Sequence, residues 1–173
     1  LFVNMQALSK GARRPKDFDK YDVKKIGILG AGLMGAGIAY VTAKAGIEVV
    51  LIDMDQAAAE KGKEYSTKIL DKQLSKKKTT EEKKEKLLSL ITPTTDYSLL
   101  KGADLIVEAV FENRDIKADV TAKAEAQISE TAVFGSNTST LPITGLAQNS
   151  SRPANFIGIH YFSPVERLSL IHI

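Results

Sequence analysis

A chain of 173 residues, 43% hydrophobic and 26% charged, has the balance of an ordinary globular domain and enough length to bury a core. It contains no cysteine, which excludes disulfides, thiol catalysis and cysteine metal sites and fits a reducing compartment. The net charge is +3, every apolar run is strand-sized, and no secretory-signal pattern is visible.

Residues 1–22 do not read as the start of a domain. Leu1 is not an initiator, residues 2–8 read as the end of a helix, and residues 10–15 as a basic linker closed by Pro15. The stretch is expected to be the tail and linker of a preceding domain.

From Lys25 onward strand and helix signals alternate. Residues 25–29 form a short apolar strand, and residues 33–45 an apolar-faced helix stopped by Gly46. A second strand over 47–52 runs into Asp53. Between the strands lies Gly30-Ala31-Gly32-Leu33-Met34-Gly35. Strand, glycine turn, helix, strand and terminal acid, in that order, make the dinucleotide-binding fingerprint. Gly30 serves the tight turn, Gly32 lets a pyrophosphate approach the backbone, and Gly35 lets the helix pack closely on the strand. The phosphates are then expected at a helix N-terminus. Asp53, 18 residues after Gly35, is placed to accept hydrogen bonds from the adenosine ribose. It would repel a 2′-phosphate, which favours NAD over NADP.

Residues 56–75 predict a long charged helix. A second helix is expected from a Thr79–Glu82 capping box through Leu90, so that the two form an inserted helical hairpin. Lysines crowd this stretch, but Glu60, Glu64, Glu81, Glu82 and Glu85 are interleaved. That pattern reads as a solvated helix face rather than a nucleic-acid surface, with attraction of an anionic ligand such as coenzyme A phosphates as the other reading. A weak third strand follows at 91–95 and a strong, continuously apolar fourth at 103–110. Then come a helix over 113–128, a strand over 132–135, a short helix opened by Pro142 and a strand over 156–161. The whole predicts an α/β fold with a doubly wound parallel sheet, over about 23–167. Ligands of such sheets bind at the carboxyl ends of the strands. Those ends carry the glycine turn, Asp53, residues 108–112, residues 136–140 and His160, all on one edge.

Four stretches then carry a family resemblance. They are Gly30-Ala31-Gly32-Leu33-Met34-Gly35-Ala36-Gly37-Ile38-Ala39, Val107-Glu108-Ala109-Val110-Phe111-Glu112-Asn113, Ser136-Asn137-Thr138-Ser139, and Gly158-Ile159-His160-Tyr161-Phe162-Ser163-Pro164-Val165. In this order and spacing they resemble the NAD-binding domain of the 3-hydroxyacyl-CoA dehydrogenases of fatty-acid β-oxidation. The tail before residue 23, and Ser163, resemble the multifunctional proteins that join such a domain to an enoyl-CoA hydratase part.

The resemblance implies roles. Gly30, Ala31, Gly32, Leu33, Met34 and Gly35 would hold the NAD pyrophosphate, and Asp53 the ribose. Glu112 and Lys117 would lie near the nicotinamide half, and Ser139 near both nicotinamide and substrate. His160 would be the catalytic base toward the 3-hydroxyl of a fatty acyl-CoA, a task suited to imidazole, which ordinarily titrates near about 6.5. Glu108 is read as structural, with only Glu112 facing the cofactor. No metal is implied. A thiolase subunit and an oligomer are expected of the intact protein, in a bacterial-type cytoplasm, with mitochondria or peroxisomes left open.

Two departures stand out. The family has a glutamate 12 residues after the catalytic histidine, where this chain has His172. A second imidazole cannot supply the negative charge that would stabilise an imidazolium. Residues 168–173 diverge as a block and are read as a candidate non-native end. The helical substrate domain of the family would follow residue 173, so a chain without it is expected to be inactive alone. The competing readings are a non-enzymatic NAD-binding module and another dehydrogenase of the same fold that uses a lysine base.

Overall fold

The computed structural model describes residues 21–168 throughout, with residues 6, 7, 11 and 15–17 of the preceding stretch. Most of the expected tail, and His172, lie outside the described residues.

Six strands make one parallel sheet: β1 (Lys25–Leu29), β2 (Glu48–Ile52), β3 (Ile91–Thr94), β4 (Leu105–Glu108), β5 (Val133–Ser136) and β6 (Phe156–Gly158). Their order across the sheet is β3-β2-β1-β4-β5-β6, parallel at every pairing. The chain thus winds outward in one direction from β1 to β3, then in the other from β4 to β6. The crevice between β1 and β4 is the switch point at which such sheets bind ligands.

Alternation of side chains sorts the core into two layers. Leu29, Val50, Ile52, Ile106 and Phe134 face one side, with Leu100, Ala124 and Leu146 packed on them. Ile26, Ile28, Val49, Leu51 and Val107 face the other, under Ile38, Ala39 and Ala43. Both faces are covered, which explains the continuously apolar strands. Each fully buried Ile, Leu or Val contributes about 1.5–3 kcal/mol by its removal from water.

Helix α1 (Leu33–Lys44) buries eight residues, mostly small, and so lies close to the sheet. Helix α2 (Gln56–Ser75) is amphipathic and buries Ala59, Gly62, Ser66 and Leu70. The Asp55 carboxylate caps it by accepting from the Ala58 amide at 2.8 Å. Helix α3 (Glu81–Ser89) completes the hairpin, tied to α2 by Lys84, which reaches Asp71 at 2.8 Å and Glu81 at 2.9 Å. The expected box at Thr79 is displaced by one residue: Thr80 is the cap and accepts from the Lys83 amide, and no Glu stands at the third helical position. Helices α4 (Arg114–Glu125) and α5 (Ile143–Ala147) cover the other face.

Several elements are shorter than the apolar runs suggest. β4 stops at Glu108, because the backbone beyond it turns out of the sheet to let the Val110 amide donate to the Glu108 carboxylate. β6 stops at Gly158, where its only neighbour β5 ends. His160 therefore sits on a loop just past the strand.

Candidate functional site

The glycine turn is built by close approach. Gly30 has φ +92°, and a Cβ there would lie 2.7 Å from the Ala109 carbonyl oxygen. A Cβ on Gly35 would lie 1.7 Å from the Gly30 carbonyl oxygen, so only glycine lets α1 start this close to the turn. The Gly30 amide donates to the Ile52 carbonyl at 2.8 Å, which seats the turn against the end of β2.

Gly32 differs from both. A Cβ there would meet nothing within 4 Å. The space it leaves opens onto the start of α1, which has no side-chain cap and no acidic residue in its first turn. The helix thus presents unclaimed amides and the positive end of its dipole to an anion. These residues fit a dinucleotide pyrophosphate.

Asp53 stands at the end of β2 as expected. Its Oδ2 accepts from the Ala31 amide at 2.6 Å and its Oδ1 from the Met54 amide at 2.7 Å. The carboxylate therefore braces the turn itself, a second task that its spacing did not reveal. Leu33 and Met54 beside it are exposed apolar side chains.

Across the switch point the construction changes. Glu108 is 1% exposed and Lys117 2%; the ammonium donates to both Glu108 oxygens, at 2.7 and 3.0 Å. Lys117 also reaches Glu112 Oε2 at 3.2 Å. The other Glu112 oxygen accepts from the Thr138 hydroxyl and from the Ser139 and Thr140 amides, at 3.1 and 3.2 Å for the amides. Burial works against a charge on Glu112. The Thr138 hydroxyl, the Thr140 amide and Lys117 outweigh it and hold the carboxyl down at about 2. Glu112 thus gathers the 138–140 loop around itself as an anion.

A cleft of about 330 Å³ opens on this edge, lined by Met34 at the start of α1, by Glu112, Asn137 and Ser139, and by His160 to Ser163. The His160 ring stacks on Phe162, with centroids 4.7 Å apart and planes at 17°. Asn137 Oδ1 accepts from the Tyr161 amide at 2.8 Å, which fixes the backbone between those two rings. Val165 is buried against α1, opposite Gly37, and Tyr65 donates to Glu166 at 2.9 Å. The His160 loop is thus anchored at both ends.

The structure brings Met34, Glu112, Ser139 and His160 to one cleft. It sets Gly30 to Gly35 and Asp53 beside the cleft's α1 end, and it places Lys117 behind Glu112 rather than in the lining. Asn137, Tyr161 and Phe162 line the cleft although sequence reasoning gave them no role; they lie inside the stretches that carried the resemblance. Among the described residues no cluster of three metal-ligating side chains occurs, and no helix is long and apolar enough to cross a membrane.

Comparison with known proteins gives a consistent picture. A family model described as the NAD-binding domain of 3-hydroxyacyl-CoA dehydrogenase matches residues 25–173. The (S)-3-hydroxybutyryl-CoA dehydrogenase PaaH1 from Ralstonia eutropha is 40% identical with a TM-score of 0.79, over 83% of this chain and 51% of that one. FadB2 of M. tuberculosis is 36% identical with a TM-score of 0.79, over 84% of this chain and 51% of that one. The dehydrogenase part of multifunctional enzyme 1 from C. elegans is 31% identical with a TM-score of 0.74, over 86% of this chain and 34% of that one. The chain thus spans about half the length of the first two and a third of the last.

Proposed function

The chain belongs to the family of 3-hydroxyacyl-CoA dehydrogenase NAD-binding domains, and from that premise we propose that it is the cofactor half of an L-3-hydroxyacyl-CoA dehydrogenase acting on fatty acyl-CoA. The observation that carries this reading is the convergence of His160, Ser139 and Glu112 on one cleft that begins at the N-terminus of α1. A non-enzymatic NAD-binding module would have no need of that convergence.

In this reading the open backbone at Gly32 and the first amides of α1 would hold the dinucleotide pyrophosphate, and Asp53 the ribose hydroxyls. When bound, NAD supplies the acceptor for a hydride from carbon 3 of the substrate. His160 takes the proton of the 3-hydroxyl, and gives it back in the reducing direction. The stacked Phe162 ring limits the tilt of the imidazole, and the Asn137 bond to the Tyr161 amide limits its travel. Ser139 holds substrate oxygen near the imidazole, on a loop whose shape is set by Glu112.

Residues 23–167 form the cofactor domain, and a helical domain beyond residue 173 closes the cleft over the acyl-CoA. The half-length match to FadB2 and PaaH1 supports that division. A hydratase part before residue 23, a thiolase subunit and an oligomeric assembly belong to the same reading. They rest on the tail sequence and on the likeness to the C. elegans multifunctional enzyme.

The test is turnover of acetoacetyl-CoA with NADH in a protein that continues this chain through its second domain. His160→Ala should lower kcat about 100- to 10,000-fold, the usual contribution of a general acid–base group. The 173-residue chain alone should show almost no turnover, because one wall of a cleft cannot hold two reactants in register. A His160→Ala protein that keeps near-full kcat would remove the imidazole from the mechanism.

A further inference from the structure

Glu108 and Ser136 form a buried polar pair that neither the cofactor nor the substrate can reach. Glu108 is 1% exposed at the end of β4, and Ser136 is fully buried at the end of β5. They are register partners in the sheet, and the Ser136 hydroxyl donates to Glu108 Oε2 at 2.6 Å. Together with the Val110 amide at 2.9 Å and the two bonds from Lys117, this fills the carboxylate with donors.

A buried ion pair is a poor device for stability alone, since well-packed apolar side chains of similar volume serve as well or better. What a pair of this kind fixes is direction. An ammonium has three protons. Glu108 lies within reach with both oxygens, and Glu112 with one, at 3.2 Å. Lys117 is therefore held at a point from which it pulls on Glu112 Oε2 only. The second oxygen of Glu112 is left turned toward the Ser139 and Thr140 amides. The Glu108 main chain reinforces this, because its carbonyl accepts from the Asn137 amide at 2.7 Å and Asn137 in turn holds Tyr161.

We propose that Glu108 and Ser136 are positioning residues: joined beneath the cleft, they fix Lys117, and through it Glu112 and the loop that presents Ser139. The proposal rests on the reading of that cleft as the reacting end of the dinucleotide site. Without Glu108 the ammonium has one anion left. It then centres on Glu112 and draws that carboxylate off the loop amides. Without the Ser136 hydroxyl the Glu108 carboxylate is free to rotate and the same chain of contacts slackens.

The test compares wild type, Glu108→Gln and Ser136→Ala in this chain, by amide hydrogen exchange and by fluorescence titration with NADH. Both variants should exchange the Ser139 and Thr140 amides roughly tenfold faster, while core amides such as Phe134 stay unchanged, since local opening is separable from global unfolding. NADH should bind several-fold more weakly to both. If Glu108→Gln does not fold, Ser136→Ala, which removes a single hydroxyl, decides alone. A double variant, Ser136→Ala with Glu112→Gln, should exchange Ser139 no faster than Glu112→Gln alone, because the effect runs through Glu112. The proposal is overturned by unchanged exchange at Ser139 and Thr140, by a rise that Phe134 shares equally, or by a Ser136→Ala effect that persists in the Glu112→Gln background. Failure of the wild-type chain to bind NADH would instead sink the cofactor reading, and the exchange results would still judge the positioning role.

Discussion

The two halves of the carboxyl edge solve the same task with different materials. On the β1–β2 side the site is almost all backbone: the Gly30 turn, the open space at Gly32 and the first amides of α1, braced by one carboxylate. On the β4–β6 side it is almost all side chain: a buried Glu108–Lys117–Ser136 cluster, Glu112 with the loop it gathers, and two stacked rings. The first half suits a ligand part that is chemically constant, an anionic pyrophosphate, because amides at fixed spacing and a helix dipole recognise it without adjustment. The second half suits a reacting end, where a proton must move and charge must be placed, and for that titratable groups are needed. Backbone-built recognition should therefore fail all at once when its packing is broken, and side-chain-built recognition by degrees.

The largest effect is expected at Gly35. Any side chain there puts a carbon 1.7 Å from the Gly30 carbonyl oxygen, an impossible distance that only separation of α1 from the turn can relieve. Gly35→Val should lose NADH binding by at least about 100-fold and lower the melting temperature, since forced overpacking costs about 1–3 kcal/mol or more. Fluorescence titration and thermal denaturation measure the two. Binding within a few-fold of wild type would mean that the turn and helix do not meet as described.

A smaller effect is expected at Asp53, the one side chain in the backbone-built half. Asp53→Ala removes the acceptor for ribose and, with it, the brace on the Ala31 amide. A hydrogen bond to a charged group is worth about 1.5–3 kcal/mol, so NADH affinity should fall roughly 10- to 100-fold. NADPH affinity should hold or rise, because a 2′-phosphate no longer faces a carboxylate. Parallel titrations with the two nucleotides give the ratio. An unchanged ratio would remove Asp53 from the choice between them.

The same contrast explains what is legible in the sequence and what is not. The glycine turn, Asp53 and the parallel order of strands are local or periodic signals. Gly30 to Gly35 lie within one turn and its helix, and buried strands are continuously apolar. His160, Ser139 and Glu112 stood out only through the stretches they belong to. Nothing in their spacing says that Glu112 accepts from Ser139 and Thr140, 27 and 28 residues away. The bond between Ser136 and Glu108 spans 28 residues and depends on β4–β5 register. Element ends differ where a side chain intervenes: β4 stops at the Glu108 carboxylate that caps its own chain, and Thr80 rather than the adjacent Thr79 caps α3, a choice between two like residues that the spacing does not decide.

The smallest effect is expected at Glu112, under acid. Burial raises the cost of charging Glu112, and the Thr138 hydroxyl, the Thr140 amide and Lys117 more than offset it, so the carboxyl lies at about 2 instead of its ordinary 4.5. A carboxyl lowered by folding stabilises the native state above its unfolded pKa, and that stabilisation is lost as pH falls through the folded value. The window therefore runs from about pH 4.5 down to about 2. Across it the 138–140 loop should loosen. Urea midpoints measured from pH 6 downward should fall more steeply for wild type than for Glu112→Gln, which has no proton to take up. Other carboxylates contribute to both curves, so only their difference reports on Glu112. Amide exchange should place the Glu112-dependent loss at Ser139 and Thr140. Parallel curves for the two proteins would mean that Glu112 is not held as an anion by its loop, and the contrast between the halves would lose its electrostatic basis.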